Sequence, residues 1–177
     1  MKKILILITV YICIGSVTPL LSVSAETIKI AAIFAKSGDA QIDNLYNFQG
    51  INLAVEEINN QGGLLGRQVE VIELDNKSTP LGSKVAALKA AKLGVTAVIG
   101  ASWSSHSLAM APVLQKAGIP MISTVSTNPK ITLEGDYIFR VCFIDPFQGK
   151  VMAQFARQDL KAQTAVILTN INSDYSM

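Results

Sequence analysis

From residue 27 onward, short apolar runs alternate with stretches whose apolar residues recur at helical spacing. Thr27 to Ala35 is rich in isoleucine and alanine and predicts a buried strand. Phe48, Ile51, Leu53, Ala54, Val55 and Ile58 fall at helical spacing, and Asn59, Asn60 and Gly62-Gly63 stop that helix. Gln68 to Leu74 alternates as a strand does. Thr79-Pro80 is a cap followed by a first-turn proline, opening a helix that runs to Leu93 and closes at Gly94. Thr96 to Ile99 predicts a short strand, and Ser104 or Ser105 caps a helix ending at Gly118. Ile119 to Ile122 and Tyr137 to Phe143 predict strands, Pro146 to Leu160 a helix, and Thr164 to Thr169 a last strand. Regular alternation with short connections implies an α/β fold: a parallel sheet covered by helices on both faces.

The first residues follow a different pattern. Lys2 and Lys3 precede an apolar run from Ile4 to Ile14, broken only by Thr9, and Val23-Ser24-Ala25 supplies small residues. This is the order of a secretory signal, with cleavage expected after Ala25. Pro19 and three serines interrupt the run before the roughly 20 apolar residues that a membrane span needs. Cys13 lacks the small residues that precede a lipid-modified cysteine, so no stable membrane insertion is expected once the signal is removed. A periplasmic location follows.

Removing residues 1–25 from the 177-residue chain leaves 152 and takes two of the fifteen basic residues. Thirteen then face thirteen acidic ones, and the net charge falls from +2 to zero. Nothing in that balance points to nucleic acid or an anionic surface. Cys142 is then the only cysteine, in an apolar run typical of a buried strand, and reads as a buried structural thiol. One cysteine and one histidine make no metal site, and nothing calls for a cofactor.

Ligands of parallel α/β sheets bind beyond the carboxyl ends of the strands. Four loops are expected there: 36–46, 75–78, 100–104 and 123–128. Gly100-Ala101-Ser102-Trp103-Ser104-Ser105 follows a strand and opens a helix, gathering free amides, hydroxyls and the positive end of a helix dipole that favours a carboxylate. Ser123 to Asn128 offers hydroxyls and carbonyls that suit an ammonium. The bare pattern fits ordinary helix capping equally well.

Several stretches in combination resemble the type I periplasmic binding proteins of the leucine/isoleucine/valine-binding branch. They are Ile28-Lys29-Ile30-Ala31, Gly50 to Asn59, Gly62-Gly63 to Gly66, Val98-Ile99-Gly100, Gly118 to Ser123, Thr127-Asn128-Pro129, Phe139-Arg140 to Asp145, and Asp174-Tyr175. The resemblance implies two α/β lobes closing on a ligand. Residues 26–144 would be most of the first lobe, and 145–177 the beginning of the second. It implies that Ser104, helped by Ser105, binds a ligand carboxylate. Thr127 would contact the amino-acid backbone, and the Val125 carbonyl would accept from the ammonium. Tyr175 would contribute from the second lobe. Trp103 replaces a small residue of the leucine-binding relatives and Val125 is bulkier than their alanine, so both are expected to reshape the side-chain pocket. The acidic residue that neutralises the ammonium is expected further on.

The implied activity is capture of an amino acid, amide or similar small solute for an ABC permease, with no catalysis. A sensor ectodomain uses the same fold. A serine hydrolase is disfavoured because Gly100-Ala101-Ser102-Trp103-Ser104 lacks the final glycine of a nucleophile elbow and His106 is badly placed as a base. His106 reads as a polar helix position, Arg140 as structural, and Glu56-Glu57, about 100° apart on a helix, as a solvated edge. A chain ending at Met177 is expected to bind weakly on its own, with Tyr175 on a mobile tail.

Overall fold

A computed structural model describes residues 26–177, so the signal-peptide reading lies outside the described residues. Five parallel strands form one sheet in the order β2-β1-β3-β4-β5. They are β1 (Ile28–Phe34), β2 (Val69–Asp75), β3 (Ala97–Gly100), β4 (Met121–Ser123) and β5 (Ile138–Arg140). The helices are α1 (Gln41–Asn60), α2 (Pro80–Lys92), α3 (Ser104–Ala117) and α4 (Asp145–Gln158), with a 3-10 turn at Pro129–Leu133. No helix among the described residues is long and apolar enough to cross a membrane.

Strand alternation divides the core in two. Ala31 and Ile33 face α2 and α3 and join Ala87, Ala90, Met110, Leu114 and Met121 in the main cluster. Ala32 and Phe34 face α1, where Phe48 meets Phe34 edge-on with ring centroids 5.6 Å apart. β1 is thus apolar at every position from Ala31 to Phe34 because both of its faces are covered. The α1 face is covered only as far as β3. Beyond it Ile122 and Phe139, paired across β4 and β5, remain 37% and 49% exposed. The expectation of a sheet covered on both faces therefore fails over its β4–β5 end, where α3 covers the other face and none of the described helices covers this one.

The start signal of α2 and the stop signal of α3 act as expected. Thr79 is extended at ψ 147°, and its hydroxyl accepts from the Gly82 amide at 2.9 Å, ahead of Pro80. Gly118 closes α3 at φ +65°, a conformation that would strain a residue with a Cβ. The Ile119 amide reaches back to the Leu114 carbonyl and the Gly118 amide to that of Gln115. The helix predicted from Phe48 begins earlier, at Gln41. Its first turns carry exposed Ile42, Leu45 and Tyr46 and so lack the apolar stripe that marks the rest.

Three expectations at the end of the chain are corrected. β5 covers only Ile138–Arg140: the Val141 amide makes a last bond to the Ser123 carbonyl of β4, residues 142–144 leave the sheet, and the Asp145 amide bonds the Thr127 carbonyl. Cys142, expected to be buried, is half-buried with its thiol 3.5 Å from the Ser126 carbonyl, and partial burial still pushes the thiol pKa up. Thr164 to Thr169 forms no strand. A strand needs a hydrogen-bonded neighbour, and Val166, Ile167 and Leu168 stand 86–91% exposed instead.

Candidate functional site

The strand-to-helix turn after β3 lies at the carboxyl edge of the sheet. Gly100 is needed there: its φ is +138°, and a Cβ would run into the Ile33 carbonyl of the neighbouring strand. Trp103, rather than either serine, occupies the cap position of α3. It is extended at ψ 140° and makes no side-chain cap, while its carbonyl accepts from the amides of His106 (3.1 Å) and Ser107 (3.0 Å). The expectation that Ser104 or Ser105 caps this helix is corrected, because both already lie within it. Their amides find no acceptor among the described residues, so α3 presents two free donors at the positive end of its dipole. The Ser104 hydroxyl, 2% exposed, accepts instead from the Asn128 amide at 3.3 Å and ties this turn to the loop after β4.

The hydroxyls of that second loop divide into two groups. Ser123, Ser126 and Ser107 surround the Ala101 carbonyl at 3.1, 3.0 and 3.3 Å, and the Ser107 and Ser126 hydroxyls are 2.8 Å apart. These serines are buried and saturated by one another; they fix the turn and have little left to offer a ligand. Thr124 and Thr127 are the reverse case, with buried hydroxyls that have no hydrogen-bond partner among the described residues. Such an orphan costs about 1–3 kcal/mol unless something else satisfies it. Val125 is more than half exposed, and its carbonyl is the acceptor in no hydrogen bond among the described residues.

Arg140 is structural, as read from the sequence. Its guanidinium donates to the carbonyls of Ser126, Asn128 and Pro129 and to the Thr132 hydroxyl, at 2.7–3.2 Å, and so clamps the loop that carries Thr127.

A cleft of about 680 Å³ opens at this edge, within the usual range for small-molecule sites. One wall is the α3 turn, including Trp103, Ser104, Ser105 and His106, together with Ser78 and Pro80 before α2. The other wall comes from residues 170–175, including Tyr175. That segment is held by the Asn128 side-chain amide, which donates to the Asp174 carbonyl at 2.8 Å, and by the Tyr175 hydroxyl, 3.5 Å from Gln148 Oε1. Four of the six residues singled out in the sequence thus line one cleft. Val125 and Thr127 do not line it and sit in the adjoining loop, with Thr127 next to the Asn128 amide that bonds Ser104.

Sequence reasoning missed three contributors. Asn44 accepts from the Ser102 hydroxyl at 2.9 Å and Asn47 donates to it at 3.2 Å, so α1 braces the turn in a region read as a loop. His106, set aside as a polar helix position, is 3% exposed and lines the cleft. Burial holds its pKa below the ordinary histidine value, against a smaller opposing effect of the Ser78 backbone. The loop before α2 is tightened by Asp75. Burial raises its pKa, but hydrogen bonds from the Ser37 hydroxyl and the Lys36 and Lys77 amides outweigh that and leave the net value lowered.

Comparison with known proteins agrees with this fold. A leucine-binding protein of Thermotoga maritima superposes with a TM-score of 0.78 and 40% identity, over 85% of this chain and 42% of the other. A branched-chain amino acid transporter substrate binding protein of Streptococcus pneumoniae, in complex with isoleucine, gives 0.81 and 36% over 85% and 44%. The leucine-specific-binding protein of Salmonella typhimurium is 32% identical over 145 residues, 81% of this chain and 39% of the relative. The chain therefore spans about two fifths of the length of these relatives. Residues 27–176 match the periplasmic binding protein family, and the chain belongs to that family.

Proposed function

We propose that this chain carries the carboxylate-binding side of an extracytoplasmic solute site and serves capture of an amino acid for an ABC permease. The observation that carries this reading is the uncapped start of α3. Two free amides meet a dipole of the right sign there, beside a loop with an orphaned Thr127 hydroxyl. Ser104 and Ser105 would take the carboxylate. Thr127 and the exposed Val125 carbonyl would take the ammonium end, and Tyr175 would close over the ligand from the facing segment. Binding proteins named for leucine, isoleucine and valine among the relatives support an amino acid as the class of ligand. Residues 1–25 would direct export to the periplasm. The first lobe would extend over 26–144 and the second begin at Asp145, where the chain leaves β5.

The test is an NMR titration of the exported form with leucine, isoleucine and valine. The amide resonances of Ser104, Ser105 and Thr127 should shift together, and Ser104→Ala should weaken the interaction by about 1–3 kcal/mol. Shifts scattered over the surface, or an unchanged affinity in the variant, would exclude the assigned roles.

A further inference from the structure

The chain contains one tryptophan and one histidine, and the fold stacks them at the cleft. Trp103 and His106 have ring centroids 5.2 Å apart and an interplanar angle of 35°. The imidazole is buried, while 41% of Trp103 remains exposed where it lines the cleft. The part of the indole not against His106 is therefore available to a ligand, one residue from the Ser104-Ser105 amides.

The imidazole is itself held. Asn76 is 1% exposed at the end of β2, with its amide bonded to the Phe34 carbonyl at 3.0 Å. Its side-chain oxygen accepts from the Ser78 amide at 3.0 Å, which leaves its NH2 group facing His106 Nδ1 at 3.3 Å. A donor at that distance requires Nδ1 to be an unprotonated acceptor, so the proton sits on Nε2 and the ring is neutral. Charged side chains on the surrounding elements are Asp75 and Lys77 before α2, Lys84, Lys89 and Lys92 on α2, Lys116 at the far end of α3, and Asp174 across the cleft. None of them hydrogen-bonds the imidazole; Asp75 is occupied by Ser37 and by backbone amides.

We propose that His106, fixed by Asn76, is a positioning residue that props Trp103 as a flat wall of the cleft, so that the site favours carboxylate ligands bearing a planar side chain. This rests on the binding role given above to the α3 turn. A ligand anchored by its carboxylate at Ser104 and Ser105 brings its side chain over the indole. A planar group gains ring stacking there that a branched aliphatic group lacks. Protonation of His106 would set an N–H of Nδ1 against the NH2 of Asn76, break the link and release the indole.

The sole tryptophan reports on this directly. Emission of the exported form should change between about pH 8 and about pH 4.5, with a midpoint below the ordinary histidine value of about 6.5. His106→Gln should abolish that transition, and Asn76→Asp, which places an acceptor and a negative charge against the ring, should raise its midpoint. Emission independent of pH, or a transition that survives in His106→Gln, would overturn the positioning role. In binding measurements with phenylalanine and leucine, the wild type should prefer phenylalanine by about two- to tenfold, and His106→Gln should lose that preference. A preference for leucine, or one unchanged in the variant, would overturn the selectivity. Binding of neither ligand would overturn both the selectivity and the proposed carboxylate site, while the pH transition would still decide separately whether His106 positions Trp103.

Discussion

α3 and α4 are both fourteen residues long, and both start where the chain leaves a strand at the carboxyl edge of the sheet. α4 has the tidier apolar stripe, with Phe147, Val151, Met152 and Phe155 at helical spacing, yet it buries no residue. α3 puts serines and a histidine among its inward positions and buries six residues, three of them polar. An amphipathic stripe states a need for a partner; it does not supply one. Among the described residues nothing covers α4, and the exposed run from Val166 to Leu168 leaves its own apolar side chains in solvent as well. The polar face of α3 can be buried because its inward serines find partners: Ser107 a carbonyl and another hydroxyl, and Ser104 the Asn128 amide, an arrangement no hydrophobicity pattern announces.

The widest gap expected between the two regions is in hydrogen exchange. Amides of β1, β3 and the middle of α3 should be protected on the order of a thousandfold or more beyond those of residues 161–177, since the former open only with the whole sheet. Comparable protection in 164–169 would mean that this segment pairs with a partner in solution. Core truncation comes next. Leu114→Ala, at a fully buried α3 position, should lower unfolding stability by about 2–5 kcal/mol in urea. Phe155→Ala, at a 54% exposed α4 position, should change it by no more than about 0.5 kcal/mol. A large loss at Phe155 would reveal a covered α4 face.

The smallest effect is a pH dependence confined to the α3 side. Burial depresses the folded pKa of His106, so between the folded value and the unfolded value of about 6.5 the unfolded chain binds more protons. The stability linked to this group is present above the unfolded value and is lost as pH falls through it towards the folded one. Asp75, also depressed, acts in the same sense at lower pH. The urea midpoint should therefore drop from about pH 8 to about pH 5. His106→Gln should remove most of that drop, whereas a drop of the same size in the variant would place its origin elsewhere.

Much of the fold was legible because its signals are local. Thr79-Pro80, Gly62-Gly63, Gly94 and Gly118 set helix ends through backbone geometry that neighbouring residues alone determine. The apolar run of β1 declared a strand buried on both sides. Thr164 to Thr169 looked the same, and Tyr137 to Phe143 nearly so, but the structure pairs none of the first and only three residues of the second. Composition can mark a segment fit for a sheet; hydrogen bonds to a neighbour decide whether it joins one.

The candidate site divides along the same line. The sequence determined that a serine-rich turn follows a buried strand and opens a helix, which is enough to place Trp103, Ser104 and Ser105 at a helix N-terminus. Only the tertiary structure decided which hydroxyls are spent internally and which are left without partners. It also brought His106 and Asn76, thirty residues apart in sequence, within hydrogen-bond distance behind Trp103. A hydroxyl's availability depends on every acceptor that surrounds it in space, and those acceptors come from β3, β4, α1 and α3 together.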